Sequence, residues 1–371
     1  MPDGKYKKPL VKVEIQNDKV ILALEEKGFA VGLLKDGKTL KKEARRIEEF
    51  LDIVQQSNVT WIDYVVDDFS KEAPVLGKAL GFSEGLLKTL SKHERSGYED
   101  LDSEMGMMIP AILVQGFDVK INPLMLLMKQ NLIVTLHTTE LRRFFRLRRY
   151  AETFLRKVKP TLLVKDKITL ILIRILYENN TRNFDHLREI EENADKVSEM
   201  LANPKTPREK VGPMIHEMKH ALITYLTGLW TTVDVLNTLR YGDPEVLTDD
   251  QKLLDRIGVL IDEVNTQIGL AEHLSEVLAS GLEVVQSIYN NQLQILNNKM
   301  ALLVAYLTIL GTAVLVPNTL ATALSNPVFN LGPQDMWWYV GLLVASTVFS
   351  TLIAYLWVKS RGLLPKRADR D

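Results

Sequence analysis

Thr308, Thr312, Asn318, Thr319 and Thr322 lie in a stretch, 300–325, that contains no charged residue. Placed on a helix at about 100° per residue, all five fall within an arc of about 120°. Gly311, Ala301 and Ala305 lie on or beside that arc. Leu302, Leu303, Tyr306, Leu310, Val314, Leu320 and Leu324 occupy the opposite face. Neutral oxygens repeated along one line are suited to holding a hydrated cation without binding it too tightly to leave. A pore or polar seam built from several copies is one reading. Ordinary helix packing is the other, since Ser, Thr and Gly are common where membrane helices touch. The pattern alone leaves both open.

A second uncharged stretch, 336–358, follows after a short loop, 326–335. Each stretch is long enough to cross a bilayer, which takes about 20 residues. Lys299 precedes the first, Lys359, Arg361, Lys366, Arg367 and Arg370 follow the second, and the loop holds no Lys or Arg. The positive-inside rule then puts both flanks in the cytoplasm and the loop outside. Trp337, Trp338 and Tyr339 at one end, with Tyr355 and Trp357 at the other, match interfacial aromatic belts. The polar start, MPDGKYKKPL, does not read as a signal peptide, so the residues before the first span are expected in the cytosol.

Before the spans, the period of the apolar residues changes once. Over 1–140, VKVEI, KVILAL, VTWIDYVV, MIPAILVQGF and NLIVTLH read as strands. KKEARRIEEFLDIVQQ, EAPVLGKAL and SEGLLKTLSKH read as helices between them, giving a cytosolic α/β domain. Over 141–299 the pattern is helical throughout: a basic helix from Glu140, a long helix closed by Pro204, and another closed by Gly242 and Pro244. A stalk helix over 248–299 follows, with Thr248 as its N-cap, and runs directly into the first span. Its apolar residues need partner helices from this chain or from identical copies.

The chain has no Cys, which excludes disulfides and thiolate chemistry, and its net charge of -1 gives no general case for nucleic-acid binding. HEMKH, His216 to His220, formally matches a zinc-protease pattern and would put both His on one helix face. No third ligand in a suitable context follows, so a regulatory or adventitious zinc site is the most it supports. The basic cluster Arg142, Arg143, Arg146, Arg148 and Arg149 is expected to pair with neighbouring acids. Neither a phosphate loop nor a nucleophile with its base can be found, so an enzyme is not expected.

Several segments, in order, carry a family resemblance: VTWIDYVVDDF, LGKALGFSEGLLKTL, KQNLIVTLHT and YNNQLQILNNKMALLVAYLT. Together with the stalk, two spans and basic tail at 359–371, they resemble the CorA family of divalent-metal transporters over nearly the full length. The resemblance implies an α+β membrane protein and a funnel-shaped homo-oligomer, a pentamer, in the cell (inner) membrane with both termini cytoplasmic. It implies no cofactor: a divalent cation, Mg²⁺ first among them, is the transported substrate, and no nucleic acid is involved. By the same resemblance Ser325 and Asn326 stand near the pore entrance, and Asn298 and Ala301 at its inner mouth. One departure matters. The family's Gly-Met-Asn at the outer end of the first span is missing; that position reads ALSNPVF, with Ser325, Asn326 and Pro327 in or near the register. Thr89 and Thr266 stand near positions where some members carry regulatory Asp. The alternative is therefore a membrane-anchored sensor or scaffold that keeps the assembly without transport.

Overall fold

The computed structural model describes residues 11–16, 19–24, 27–92, 97–202, 208–326, 329 and 332–360, with backbone alone at 11–24, 201–202, 208–211 and 285. Two compact units divide the chain, Met1–Ala279 and Ser280–Asp371.

In the first unit, β1 (Val11–Gln16) and β2 (Lys19–Leu24) form a two-stranded antiparallel sheet. A seven-stranded sheet follows from β3 (Gly28–Leu33), β4 (Thr39–Ala44), β5 (Val59–Val66), β6 (Gly97–Asp100), β7 (Glu104–Gln115), β8 (Asp118–Lys129) and β9 (Leu132–Thr138). Its order is β4-β3-β5-β9-β8-β7-β6, and β5 with β9 is its parallel pair. Both faces are covered. Along β7, Met105, Met107 and Ile109 join one core cluster while Met108 joins the other. That two-sided burial explains why the strands read as continuous apolar runs rather than alternating ones.

One face carries α1 (Leu51–Gln56), α2 (Phe69–Ala79) and α3 (Glu84–Lys92). Against the other pack α4 (Arg142–Leu155), α5 (Val164–Asn180), α6 (Asn183–Ala202), α7 (Arg208–Tyr241) and the start of α8 (Gln251–Leu324). α7 comes close to the sheet because Gly228 faces β7: a Cβ there would stand 2.9 Å from Ile112 Cδ1 and Cγ1. Gly228→Val is therefore expected to cost about 1–3 kcal/mol by overpacking, read as a lower midpoint in thermal unfolding of the purified protein.

A buried ionic network fastens α4 to the sheet. Asp63 on β5 and His137 on β9 are fully buried. Asp63 accepts from Arg148 Nε and from the Thr135 hydroxyl, and its Oδ1 lies 3.2 Å from His137 Nε2. His137 Nδ1 donates to Thr138 O at 2.8 Å, and Trp61 Nε1 donates to Thr135 Oγ1 at 3.2 Å. Burial pushes the Asp63 carboxyl up, but the Arg148 and His137 charges and the hydrogen bonds outweigh it and hold it well below its usual 3.8. A carboxyl depressed in the folded state contributes stability that is fully present above its unfolded value. That contribution drains away as pH falls below 3.8 and through the folded value. Thermal unfolding followed from neutral pH downward is expected to show the midpoint begin to drop there, and Asp63→Asn is expected to flatten the drop.

The structure corrects four sequence expectations. Lys41 to Ala44 belong to edge strand β4 rather than to a helix, because β3 needs a partner on that side. The long helix closed at Pro204 is divided at Thr181–Arg182 into α5 and α6, where Asn179 Nδ2 donates to Pro110 O at 3.0 Å and Asn183 Nδ2 to Asn180 Oδ1 at 2.6 Å. Pro204 itself lies outside the described residues. The N-cap of α8 is Asp250, not Thr248: its Oδ1 accepts from Lys252 N at 2.9 Å and its carbonyl from Leu254 N at 3.1 Å. Thr248 instead accepts from Asp250 N at 3.0 Å, one step outside the helix. Strands β3, β6 and β8 were not expected. β8 was hidden by Pro123, which sits opposite Pro110 of β7. β9 pairs with β8 only over Met125–Lys129 and β6 with β7 only over Met105–Met108, so neither proline interrupts an outer ladder.

In the second unit, α8 continues to Leu324, a short 3₁₀ turn forms at Pro333–Asp335, and α9 covers Met336–Ser360. Both are long and apolar enough to cross a membrane. The basic tail from Arg361 lies outside the described residues.

Candidate functional site

The membrane unit shows which face of each span is covered. On α9, Ser350, Ala354 and Val358 are buried, at i, i+4 and i+8. On α8, Ala305 is buried, and Leu302, Ile309, Thr312, Ala313, Leu320 and Leu324 are half-buried. Small residues on both covered faces allow close helix approach. α9 is therefore not uniform around its circumference: Ser346, Thr347, Ser350 and Thr351 all fall on its covered side.

The covered face of α8 lies about 120° around the helix from the line of Thr308. Thr308, Asn318, Thr319 and Thr322 are exposed in the single chain, and Thr312 is half-buried at the margin. The second span thus leaves the polar arc open. Each threonine hydroxyl donates to a carbonyl one turn back: Thr308 to Val304, Thr312 to Thr308, Thr319 to Leu315 and Thr322 to Asn318, at 2.7–2.8 Å. With its proton spent inside the helix, the hydroxyl faces outward as an acceptor. The side-chain amide of Asn318 has no hydrogen-bond partner among the described residues. Ser325 Oγ donates to Thr322 O at 2.8 Å, and Asn326 O accepts from Phe329 N at 3.0 Å, so both belong to the turn that ends α8.

Asn298 and Ala301 are exposed on α8. Helical phase separates them. Asn290, Asn297, Ala301, Thr308, Thr312 and Thr319 fall within an arc of about 60°, whereas Asn298 lies about 80° from the Thr308 line. Asn290 and Asn297 were not singled out from the sequence; extending the same 100° rule back from Thr308 finds them. Lys299 falls opposite this stripe, at about 180°.

His216 and His220 are exposed on α7, and among the described residues no group of three His, Cys, Asp or Glu is placed to hold a metal ion. The double substitution His216→Ala with His220→Ala is expected to leave the zinc content of the purified protein unchanged, as measured by atomic emission. The basic cluster is largely consumed by structure. Arg148 holds Asp63, Arg146 Nη2 meets Glu178 at 3.0 Å, and Arg143 donates to the carbonyls of Ile112 and Asn179. Burial, then repulsion from Arg182, lowers the Arg143 guanidinium to about 10.

A family model described as a CorA-like Mg²⁺ transporter protein matches residues 56–360, from α1 to the end of α9. The chain belongs to the CorA family. The complete CorA magnesium transporter from Methanocaldococcus jannaschii superposes with a TM-score of 0.61 at 20% identity, covering 88% of this chain and 96% of that one. The full-length CmaX protein gives 0.61 at 16% identity, covering 92% and 99%. The soluble domain of the M. jannaschii CorA gives 0.53 at 21%, covering 70% and 96%. These likenesses show the fold: a mixed-sheet domain, then a long helix that becomes the first span of this CorA-family membrane protein, then the second span. No curated protein sequence matches the chain. Family membership makes the chain a divalent-cation transporter in type, with the cation as substrate and no cofactor.

Proposed function

We propose that identical copies of this chain surround an axis, and that divalent cations pass along it over the polar face of α8. Asn318 carries this reading. A carboxamide exposed within a span, with no partner among the described residues, costs several kcal/mol if it faces hydrocarbon. Water in a shared bore, or a neighbouring copy, removes that cost. Thr308, Thr312, Thr319 and Thr322 add acceptor oxygens on the same side, and Asn290 and Asn297 extend the line towards the cytoplasm. No acidic side chain lies on the membrane part of the stripe, so selection is by neutral oxygens holding a hydrated ion. Mg²⁺ fits such a lining because it travels with its water.

The copies form a homopentamer, as the family resemblance implies. The exposed apolar residues flanking the stripe, among them Leu293, Met300 and Leu307, supply the contacts between copies. Lys299 and Lys359 place the ends of both spans on the cytoplasmic side of the cell (inner) membrane. Ser325 and Asn326 stand at the outer entrance. Proteoliposomes loaded with a divalent-cation dye test the reading, with Mg²⁺, Zn²⁺, Co²⁺ and Ni²⁺ added in turn. Uptake of at least one ion, dependent on the protein, is expected; no uptake of any would favour the second reading. That second reading is a membrane-anchored scaffold without transport, and the Ser325 to Val328 segment in place of Gly-Met-Asn supports it.

A further inference from the structure

The face that α8 gives to the core of the first unit is apolar at Ile257, Leu260, Ile261, Val264 and Ile268, with one interruption, the fully buried Gln267. At the corner between α5 and α6, Asn180 and Asn183 are buried too. Asn183 Nδ2 donates to Asn180 Oδ1 at 2.6 Å and to Gln267 Oε1 at 3.2 Å. The backbone of Asn183 is fixed in turn by the buried Tyr225, whose hydroxyl donates to Asn183 O at 2.6 Å. These bonds leave three buried atoms unmatched: Asn180 Nδ2, Gln267 Nε2 and Asn183 Oδ1. The two polar atoms of a carboxamide share one end of the side chain, so each unmatched atom sits beside one that is bonded within the trio.

Buried polar atoms are matched by protein or by ordered water in nearly every case. At one bond for each unmatched atom, the demand is for two accepted hydrogen bonds and one donated. A divalent cation meets the single Asn183 oxygen but is repelled by two N–H groups. An anion meets those N–H groups but is repelled by the oxygen. Water accepts twice and donates at once, and internal waters make about three such bonds. We propose that Asn180, Asn183 and Gln267 form a water site that pins α8 to the α5–α6 corner and takes no metal ion, although the chain belongs to a family that handles such ions.

Two measurements on the full-length protein test this. A crystal map resolving ordered solvent, collected with and without Co²⁺, is expected to show one peak within hydrogen-bond reach of all three atoms. The peak should be the same in both crystals and without anomalous signal. An anomalous peak, or amides each turned onto protein partners with no solvent between them, overturns the proposal. Radiolytic footprinting in isotope-labelled water reads the same site in solution. Tyr225 is expected to take up label despite its burial, and Gln267→Leu to abolish that uptake. An unlabelled Tyr225 in the unchanged protein contradicts the site.

Discussion

Proteoliposomes carrying Asn318→Leu are expected to move divalent cations at least about tenfold more slowly than those carrying the unchanged chain. Among the described residues, neither its own helix nor α9 satisfies this side-chain amide. In a bore it donates to and accepts from the water around a passing ion. Leucine removes those bonds, worth about 1 kcal/mol in each copy, and tenfold corresponds to about 1.4 kcal/mol, so loss in two copies suffices. It also puts an apolar ring where hydrated ions must pass, and apolar constrictions close by dewetting. Thr312→Leu should act in the same direction. Leu303→Met and Val314→Ile, on the far side of the helix, should leave flux unchanged. If Asn318→Leu and Thr312→Leu both transport normally, the polar arc is a packing surface and the ion goes elsewhere.

The largest stability effect is expected at Arg148. Its guanidinium pairs with the fully buried Asp63 and stands 4.9 Å over the Phe145 ring. Arg148→Ala leaves a carboxylate in the core with only His137 and Thr135 beside it. Breaking a buried pair on one side costs about 3–5 kcal/mol, and that is the loss expected in thermal or denaturant unfolding. Removing both charges together, Asp63→Leu with Arg148→Met, is expected to cost much less than the sum of the single changes, since no orphan charge remains. Additive costs would show that the network contributes packing alone. The acid sensitivity assigned to Asp63 should vanish in the double variant and persist in variants elsewhere on α4.

The two spans, the stalk and most strands were legible because each is a long run with one period. What failed was local and had a physical cause each time. Lys41 to Ala44 carry helix-favouring residues, but pairing with β3 decided their state. Pro123 argued against a strand whose prolines lie beyond the neighbouring ladders. Thr248 looked like a cap because its type was right, while Asp250 has the geometry. At the candidate site, residue types singled out the threonines and Asn318 but could not say which side α9 would cover. That depended on Ala305, Ser350 and Ala354, small residues whose role is visible only once the helices are placed. Asn298 was placed at the inner mouth by motif likeness, whereas helical phase brings Asn297 nearer the Thr308 line. Gln267 was invisible within an apolar pattern, and nothing in its neighbours announced the amides at 180 and 183.

The chain has no cysteine, which makes single-cysteine substitution clean. The most direct test places one cysteine at Thr312, Asn318, Leu310 or Val314 in turn and follows flux after adding a small, positively charged thiol reagent. Fast modification with block of flux at Thr312→Cys and Asn318→Cys, and no effect at Leu310→Cys and Val314→Cys, is the expected result. Fast block at the leucine and valine positions with silence at the other two would place the polar arc away from the ion path and contradict the assignment.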